Sequence, residues 1–202
     1  MGTIPKDNIE RVKKWYSEGD SMREIGEKLG VTLNAVIYFF RKHKILRRSL
    51  SEVSRVLFER KPMSFKIKSK LTNKERMLKI VAIMLYWGEG TKRGHSVDLA
   101  NSDKDMVLIF LRFLREICQV DEKRLRVLLY CYGNQNSEKL IKYWSRITKI
   151  SVRQFIKPYV RGDYSMVHSR AMEYGLVHIR YSDLKLLRYI IEEKQKYIKD
   201  NV

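Results

Sequence analysis

Long hydrophobic runs, paired cysteines and clustered histidines are all missing from these 202 residues, and acidic side chains are scarce beside basic ones. No stretch approaches the roughly 20 apolar residues that cross a bilayer, and Met1 to Asp20 is polar rather than shaped like a secretory signal. A soluble protein of the cytoplasm or nucleoid is therefore expected, with no membrane partner. Cys118 and Cys131 stand apart in apolar surroundings without CxxC spacing, which reads as buried free thiols rather than a disulfide or zinc site. His43, His95, His168 and His178 form no HExxH pattern, so no zinc is expected, and His95 and His168 read as exposed loop residues. Neither the Walker pattern GxxxxGK(S/T) nor GxGxxG occurs, which removes both glycine-rich nucleotide cradles and any sign of a small-molecule cofactor. No internal repeat is found.

What is present is positive charge. Lys and Arg number 42 against 23 Asp and Glu, a formal charge of +19. Such a field favours a polyanion, and nucleic acid is the commonest one. Residues 1–70 carry 17 basic and 8 acidic side chains and the remainder 25 and 15, so neither part is a basic tail on a neutral body. A hydrophobic content of 44% with 12 tyrosines argues for a folded chain.

Asp7 can cap a first helix running to about Ser17, with Ile9, Val12, Trp15 and Tyr16 on its inner side. In Ser21-Met22-Arg23-Glu24 the serine and glutamate can satisfy each other's free amides, which opens a second helix. Ile25 and Leu29 then point inward, Gly26 lies where a neighbouring helix passes close, and Gly30 supplies the tight turn. Thr32 caps a third helix with Val36, Phe39 and Phe40 toward the core. The run REIGEKLGVTLNAVIYFFRKH thus holds apolar or small residues at Ile25, Gly26, Leu29, Gly30, Val31, Val36 and Phe39, and it resembles the helix-turn-helix of resolvases and many bacterial and archaeal regulators. The resemblance implies a recognition helix presenting Thr32, Leu33, Asn34, Ile37, Tyr38 and Arg41 to DNA. Asparagine can bond an adenine edge, and arginine a guanine edge or a phosphate. Leu33 and Ile37 fit packing and thymine-methyl contact equally. Lys42, Lys44, Arg47 and Arg48 continue the basic run and are expected at phosphates. Ser51 to Arg60 reads as one more helix with Val53, Val56 and Leu57 on one side.

Thr72-Asn73-Lys74-Glu75 is a second capping box. It starts a helix whose segment Met77 to Trp87 is apolar except for Lys79, and which runs into Gly88-Glu89-Gly90. Such a segment is most often a helix buried on all sides, with the glycines as its stop. Glu89 strains that reading, because a carboxylate directly after a core helix is costly unless solvated, paired or bound to a metal. Lys92-Arg93-Gly94 reads as a turn. A strand at Ser96–Ala100, a helix from Lys104 to Cys118, a strand from Leu125 to Tyr132 and a helix from Ser137 to Thr148 follow. Strands at Gln154–Val160 and Leu176–Tyr181 flank a polar loop, and Ser182-Asp183 open a last helix from Leu184 to about Lys199. The fold class is α+β. An all-α helix-turn-helix domain covers residues 1–60 and a basic linker, extended along DNA, covers 61–71. A mixed α/β domain covers 72–202 in the order α-β-β-α-β-α-β-β-α, with antiparallel hairpins.

With that order in place, Ala82–Gly90 (AIMLYWGEG) resembles a divergent LAGLIDADG motif, and the similarity runs from about Thr72 to Ile191, including Asn101-Ser102-Asp103 before the following helix. The resemblance to the LAGLIDADG homing endonucleases implies that the helix packs against a second copy of itself and that its last acid, Glu89, binds a divalent metal, Mg²⁺, with Gly88 beside it. Gly88 falls where the family has a small residue for close helix contact; Met84 departs from the family at the other such position. A single motif implies a homodimer through the 79–90 helix and a roughly palindromic double-stranded target. The resemblance further implies an antiparallel saddle reaching the major groove, for which Arg126, Tyr130, Tyr132, Gln154, Arg161, His178 and Arg180 are candidates, with Lys92 and Arg93 beside the motif. A slip of one residue would exchange the two faces of each strand. Lys157 is the strand lysine that would shield transition-state charge near the metals, with Lys92 as second candidate; either can instead grip a phosphate.

Three functions follow from these readings. The first is a Mg²⁺-dependent DNA endonuclease whose helix-turn-helix extends its footprint. The second is a non-cleaving DNA-binding transcriptional regulator on the same scaffold. RNA binding by the basic strands is a third, against which the helix-turn-helix argues.

Overall fold

Short polar residues set where the helices begin. Ser21, Ser49 and Thr72 each accept a hydrogen bond from the amide three residues on, and Glu24, Glu52 and Glu75 return the bond to the capping residue's own amide. In the computed structural model, which describes residues 4–162 and 172–202, the chain divides into two units, Met1–Pro62 and Met63–Val202. The described residues form eight α-helices and one four-stranded mixed sheet, an α+β architecture.

In the first unit, α1 (Ile9–Ser17) follows a short 3-10 turn at Lys6–Asn8, and no side chain caps it; the expected Asp7 cap does not form. The next helices are α2 (Met22–Leu29), α3 (Leu33–Lys42) and α4 (Leu50–Arg60). Ile4, Val12, Ile25, Val36, Phe39 and Phe40 make the core. Gly26 is there for space, since a Cβ would lie 2.9 Å from the Val31 carbonyl, whereas Gly30 ends α2 with a φ of +65°. Buried Asp20 pairs with Lys28 and, at 3.0 Å, with Arg60. Arg60 and Val56, which approaches Gly19, hold α4 to this unit. Val53 and Leu57, on the same side of α4 as Val56, stay exposed.

The second unit claims most of the expected linker. Phe65 is buried in its core, Ser64 Oγ donates to Asp183 at 2.6 Å, and the amides of Lys66 and Lys68 donate to the carbonyls of Cys118 and Ile117. Those carbonyls end a π turn, Phe113–Ile117, into which α6 (Lys104–Arg112) widens instead of running on as one α-helix.

The sheet order is β1-β4-β2-β3, with β1 at Val97–Asn101, β2 at Leu125–Tyr132, β3 at Tyr159–Arg161 and β4 at Leu176–Tyr181. Helices α5 (Asn73–Glu89), α7 (Ser137–Thr148) and α8 (Leu184–Asn201) join α6 on one face of it. Two expectations change. Only one strand separates α5 from α6, because the polar turn after Gly90 reduces its partner to a single bridge from Gly90 to Leu99. And β3 runs parallel to β2, while the other pairings are antiparallel. Ser151 caps a 3-10 turn at Val152–Gln154 and Phe155 makes a single parallel bridge to Val127, so the strand itself begins only at Tyr159, past Pro158. The polar loop between β3 and β4, His168 included, lies mostly outside the described residues. Cys118 and Cys131 are buried and free, and burial raises both thiol pKa values.

Gly90 is not the helix stop that glycine usually provides. Its backbone is extended, φ −83° and ψ 151°, and an added Cβ would fall 2.4–2.6 Å from the ring of Tyr86. At Gly88 an added Cβ meets nothing within 4 Å. Gly90→Ala should therefore destabilise the chain by about 1–3 kcal/mol through overpacking, whereas Gly88→Ala should be neutral or stabilising by up to about 1 kcal/mol through helix propensity. Urea unfolding followed by circular dichroism checks both; equal effects at the two glycines would contradict this packing.

Candidate nucleic-acid interface

Helix α5 has two apolar faces. Leu78, Ala82, Ile83 and Tyr86 enter the core. On the other side Met77, Ile80 and Val81 are exposed, Met84 is half-buried, and Gly88 continues the stripe at helical spacing. The segment is therefore not buried on all sides. Its one polar residue, Lys79, pairs with Glu193 of α8 at 2.6 Å. Ile80 and Met84 also wall a groove of about 310 Å³ beside α8.

The stripe ends at exposed Glu89. Lys92 Nζ lies 3.4 Å from the carbonyl of Gly88, the atom that Gly88 could offer a metal. Glu89, Gly88 and Lys92 are thus gathered at one end of α5, with exposed Arg93 next along the chain. Lys157 does not join them within one chain. Gly90, Leu99, Ile179, Val127 and Phe155 lie in register across the sheet, and Lys157 is two residues beyond Phe155. Four strand spacings amount to roughly 19 Å. Lys157 is an exposed residue of the far edge, so of the two candidate lysines Lys92 is the one beside the motif. Among the described residues no group of three or more His, Cys, Asp or Glu could hold a metal ion.

The sheet face away from the helices carries most of the remaining candidates. Alternation buries Leu125, Val127, Leu129 and Cys131 and turns Arg126, Tyr130 and Tyr132 the other way; in β4 it buries Val177, Ile179 and Tyr181 and turns out His178 and Arg180. Arg161 and Tyr159 are exposed on β3. The face is already organised by hydrogen bonds. Asp98 on β1 takes His178 Nδ1 on one carboxylate oxygen and Arg180 Nε on the other, each at 2.8 Å. The ring of Tyr130 lies 4.8 Å from that of His178 and 4.9 Å from that of Tyr159. Arg126 turns its guanidinium to the carbonyls of Lys123 and Leu125 at 2.7 and 2.8 Å. Gln154 lies in the 3-10 turn and donates to the carbonyls of Glu122 and Leu125, so its amide acts as a strap rather than as a free reader.

In the first unit, Asn34, Tyr38, Arg41 and Lys42 are exposed on α3, and Ile37 is half-buried among them. Thr32 spends its hydroxyl oxygen capping α3. Lys44, just past the helix with φ 53°, and Arg47 are exposed. Arg48 departs from expectation. Its guanidinium stacks 4.0 Å from the Tyr16 ring and donates to the Asp20 carbonyl at 3.0 Å, while its amide donates to the Tyr16 hydroxyl. It is a structural residue of its own unit.

Asp98 and Tyr159 were missed from the sequence. The available signal was a lone acid at an outward strand position, between core residues Val97 and Leu99, in a strongly basic chain. Comparison with known proteins returned nothing: no family model, no curated protein and no solved structure matches this chain.

Burial works to raise the Asp98 pKa, but the hydrogen bond and charge of His178 and the charge of Arg180 outweigh it and hold the carboxyl below its ordinary 3.8. A carboxyl whose folded pKa is depressed contributes stability above its unfolded value and loses it as pH falls through the folded one. Wild type should therefore lose this contribution progressively below about pH 4, and Asp98→Asn should lack that part of the acid limb. Unfolding midpoints from pH 6 down to 2 test this; parallel profiles would contradict it.

Proposed function

We propose that the chain is a site-specific double-stranded DNA-binding protein that acts as a homodimeric, Mg²⁺-dependent endonuclease of LAGLIDADG type, with residues 1–60 as a helix-turn-helix module. The observation that carries this reading is α5, whose outer stripe of exposed Met77, Ile80 and Val81 and half-buried Met84 passes Gly88 and ends on exposed Glu89. An apolar stripe of that length on a monomer calls for a partner. A second copy in an isologous arrangement would bring two Glu89 carboxylates toward one axis.

The donor set suits the cation. Mg²⁺ commonly takes one or two carboxylates, keeps several waters and shares phosphate oxygens, so it does not need a cage built by a single chain. Glu89 and the Gly88 carbonyl of each copy would hold it, and when bound it supplies charge at the phosphoryl oxygen and lowers the pKa of a bound water. The chain's own residues do the rest. Lys92, whose ammonium donates to the Gly88 carbonyl in the free chain, would turn from that atom to a phosphate once the cation is bound. Tyr130, His178 and Arg180 meet base edges from the sheet, while Arg161 and Arg93 meet the backbone. Asn34, Tyr38 and Arg41 would read a second stretch of the target, with Lys42, Lys44 and Arg47 at its phosphates.

Met84 favours one other reading. It places a long side chain in the middle of the stripe, where it would hold two helices apart, and a regulator that binds without cutting tolerates that separation. One experiment separates the two. A randomised duplex library is treated with wild type and with Glu89→Gln, in Mg²⁺ and in EDTA. The endonuclease gives wild-type cleavage that EDTA stops, while Glu89→Gln binds and does not cut, a loss of at least about a hundredfold in rate. Binding by both proteins with product from neither leaves the regulator.

A further inference from the structure

Arg180, Asp98, His178, Tyr130 and Tyr159 form one continuous chain of side chains across all four strands of the open face. Arg180 stands directly opposite both Asp98 and Arg126 in the strand register. Two arginines opposed across neighbouring strands repel, and Asp98 is the acid that offsets them. Its side chain is 13% exposed and that of Arg180 32%, so the pair is partly withdrawn from water and holds a defined geometry. The Nε edge of Arg180 is tied to Asp98. What remains for a ligand is the end-on Nη pair, the fork that bonds a guanine O6 and N7 together. An ionised carboxylate only accepts hydrogen bonds. Nδ1 of His178 must then carry the proton it gives to Asp98, which leaves Nε2 as the ring's outward atom, while the Tyr130 ring limits its rotation.

We propose that Asp98 is a positioning residue for sequence reading. It costs one unit of favourable charge on a DNA-facing surface, and in return it locks the donor directions of Arg180 and the tautomer of His178. The ligand chemistry implied is a purine edge in a duplex groove, with guanine opposite Arg180. This inference rests on the reading of the sheet face as a DNA interface.

The two are tested in one design. Wild type, Asp98→Asn and Arg180→Lys are each carried through selection on a randomised duplex library. Affinities for the wild-type consensus and for a scrambled duplex are then measured at one fixed salt concentration. Wild type should enrich a consensus. Asp98→Asn should lose preference at a small, contiguous set of base pairs, and its ratio of consensus to scrambled affinity should fall on the order of 10- to 100-fold. Its affinity for the scrambled duplex should hold or rise, because a negative charge has gone. Arg180→Lys keeps the charge but not the fork, and should lose preference at the same base pairs; it stands as the test if Asp98→Asn does not fold. An unchanged consensus and ratio in Asp98→Asn, or in Arg180→Lys where Asp98→Asn is unfolded, overturns the proposal. A wild type that enriches no sequence overturns the DNA reading itself, and the role of Asp98 with it.

Discussion

The hydroxyl of Tyr86 joins the last turn of α5 to the first strand of the sheet, and the placement of both candidate surfaces depends on that joint. The phenol donates to the Thr91 carbonyl at 2.6 Å and accepts from the Asp98 amide at 3.3 Å, while the Thr91 amide donates to the Asp98 carbonyl at 2.9 Å. The ring lies over Gly90 and stacks 5.5 Å from Phe110. Burial pushes the phenol up to about 12, so it keeps its proton across any ordinary pH. Between these bonds sit Glu89 at one end and Asp98 at the other. The acid at the tip of the helix and the carboxylate that organises the open face are therefore parts of one rigid corner.

From that corner α5 presents two apolar faces. Its inner residues enter the core, and Lys79, which would otherwise be an ammonium on an apolar helix, is answered by Glu193. Among the described residues nothing covers Met77, Ile80 and Val81 of its outer stripe, while Met84 packs in part against the core. At Gly88, likewise, a side chain would meet nothing within 4 Å among the described residues. Gly90 is explained by Tyr86, whereas Gly88 has no reason inside one copy to be glycine, and a close approach by a second copy would supply the reason.

Local chemistry made much of this legible. The capping boxes at Ser21 and Thr72 involve residues three apart, so sequence alone fixes them, and alternation groups Arg126 with Tyr130 and His178 with Arg180 while leaving open which face of the sheet they take. What escaped depends on contacts distant in the chain. Arg48 turns inward because Tyr16, thirty-two positions earlier, offers it a ring and a hydroxyl. Residues 63–71 look like a linker until the carbonyls of Ile117 and Cys118 are seen to need their amides. The parallel pairing of β3 follows from the path through α7, and neither strand encodes it. Asp98 was overlooked because its two partners lie 80 and 82 residues away. Lys157 was misplaced for a related reason, since strand order rather than strand content sets its distance from Glu89.

The central claim is that two copies meet along the outer face of α5. Sedimentation of the wild type, free and bound to its selected duplex, tests it most directly, with Val81→Asp as the companion because Val81 is exposed on the stripe. The account predicts two chains per duplex for the wild type and one for Val81→Asp. A wild type that sediments as a single chain both on and off DNA would contradict it.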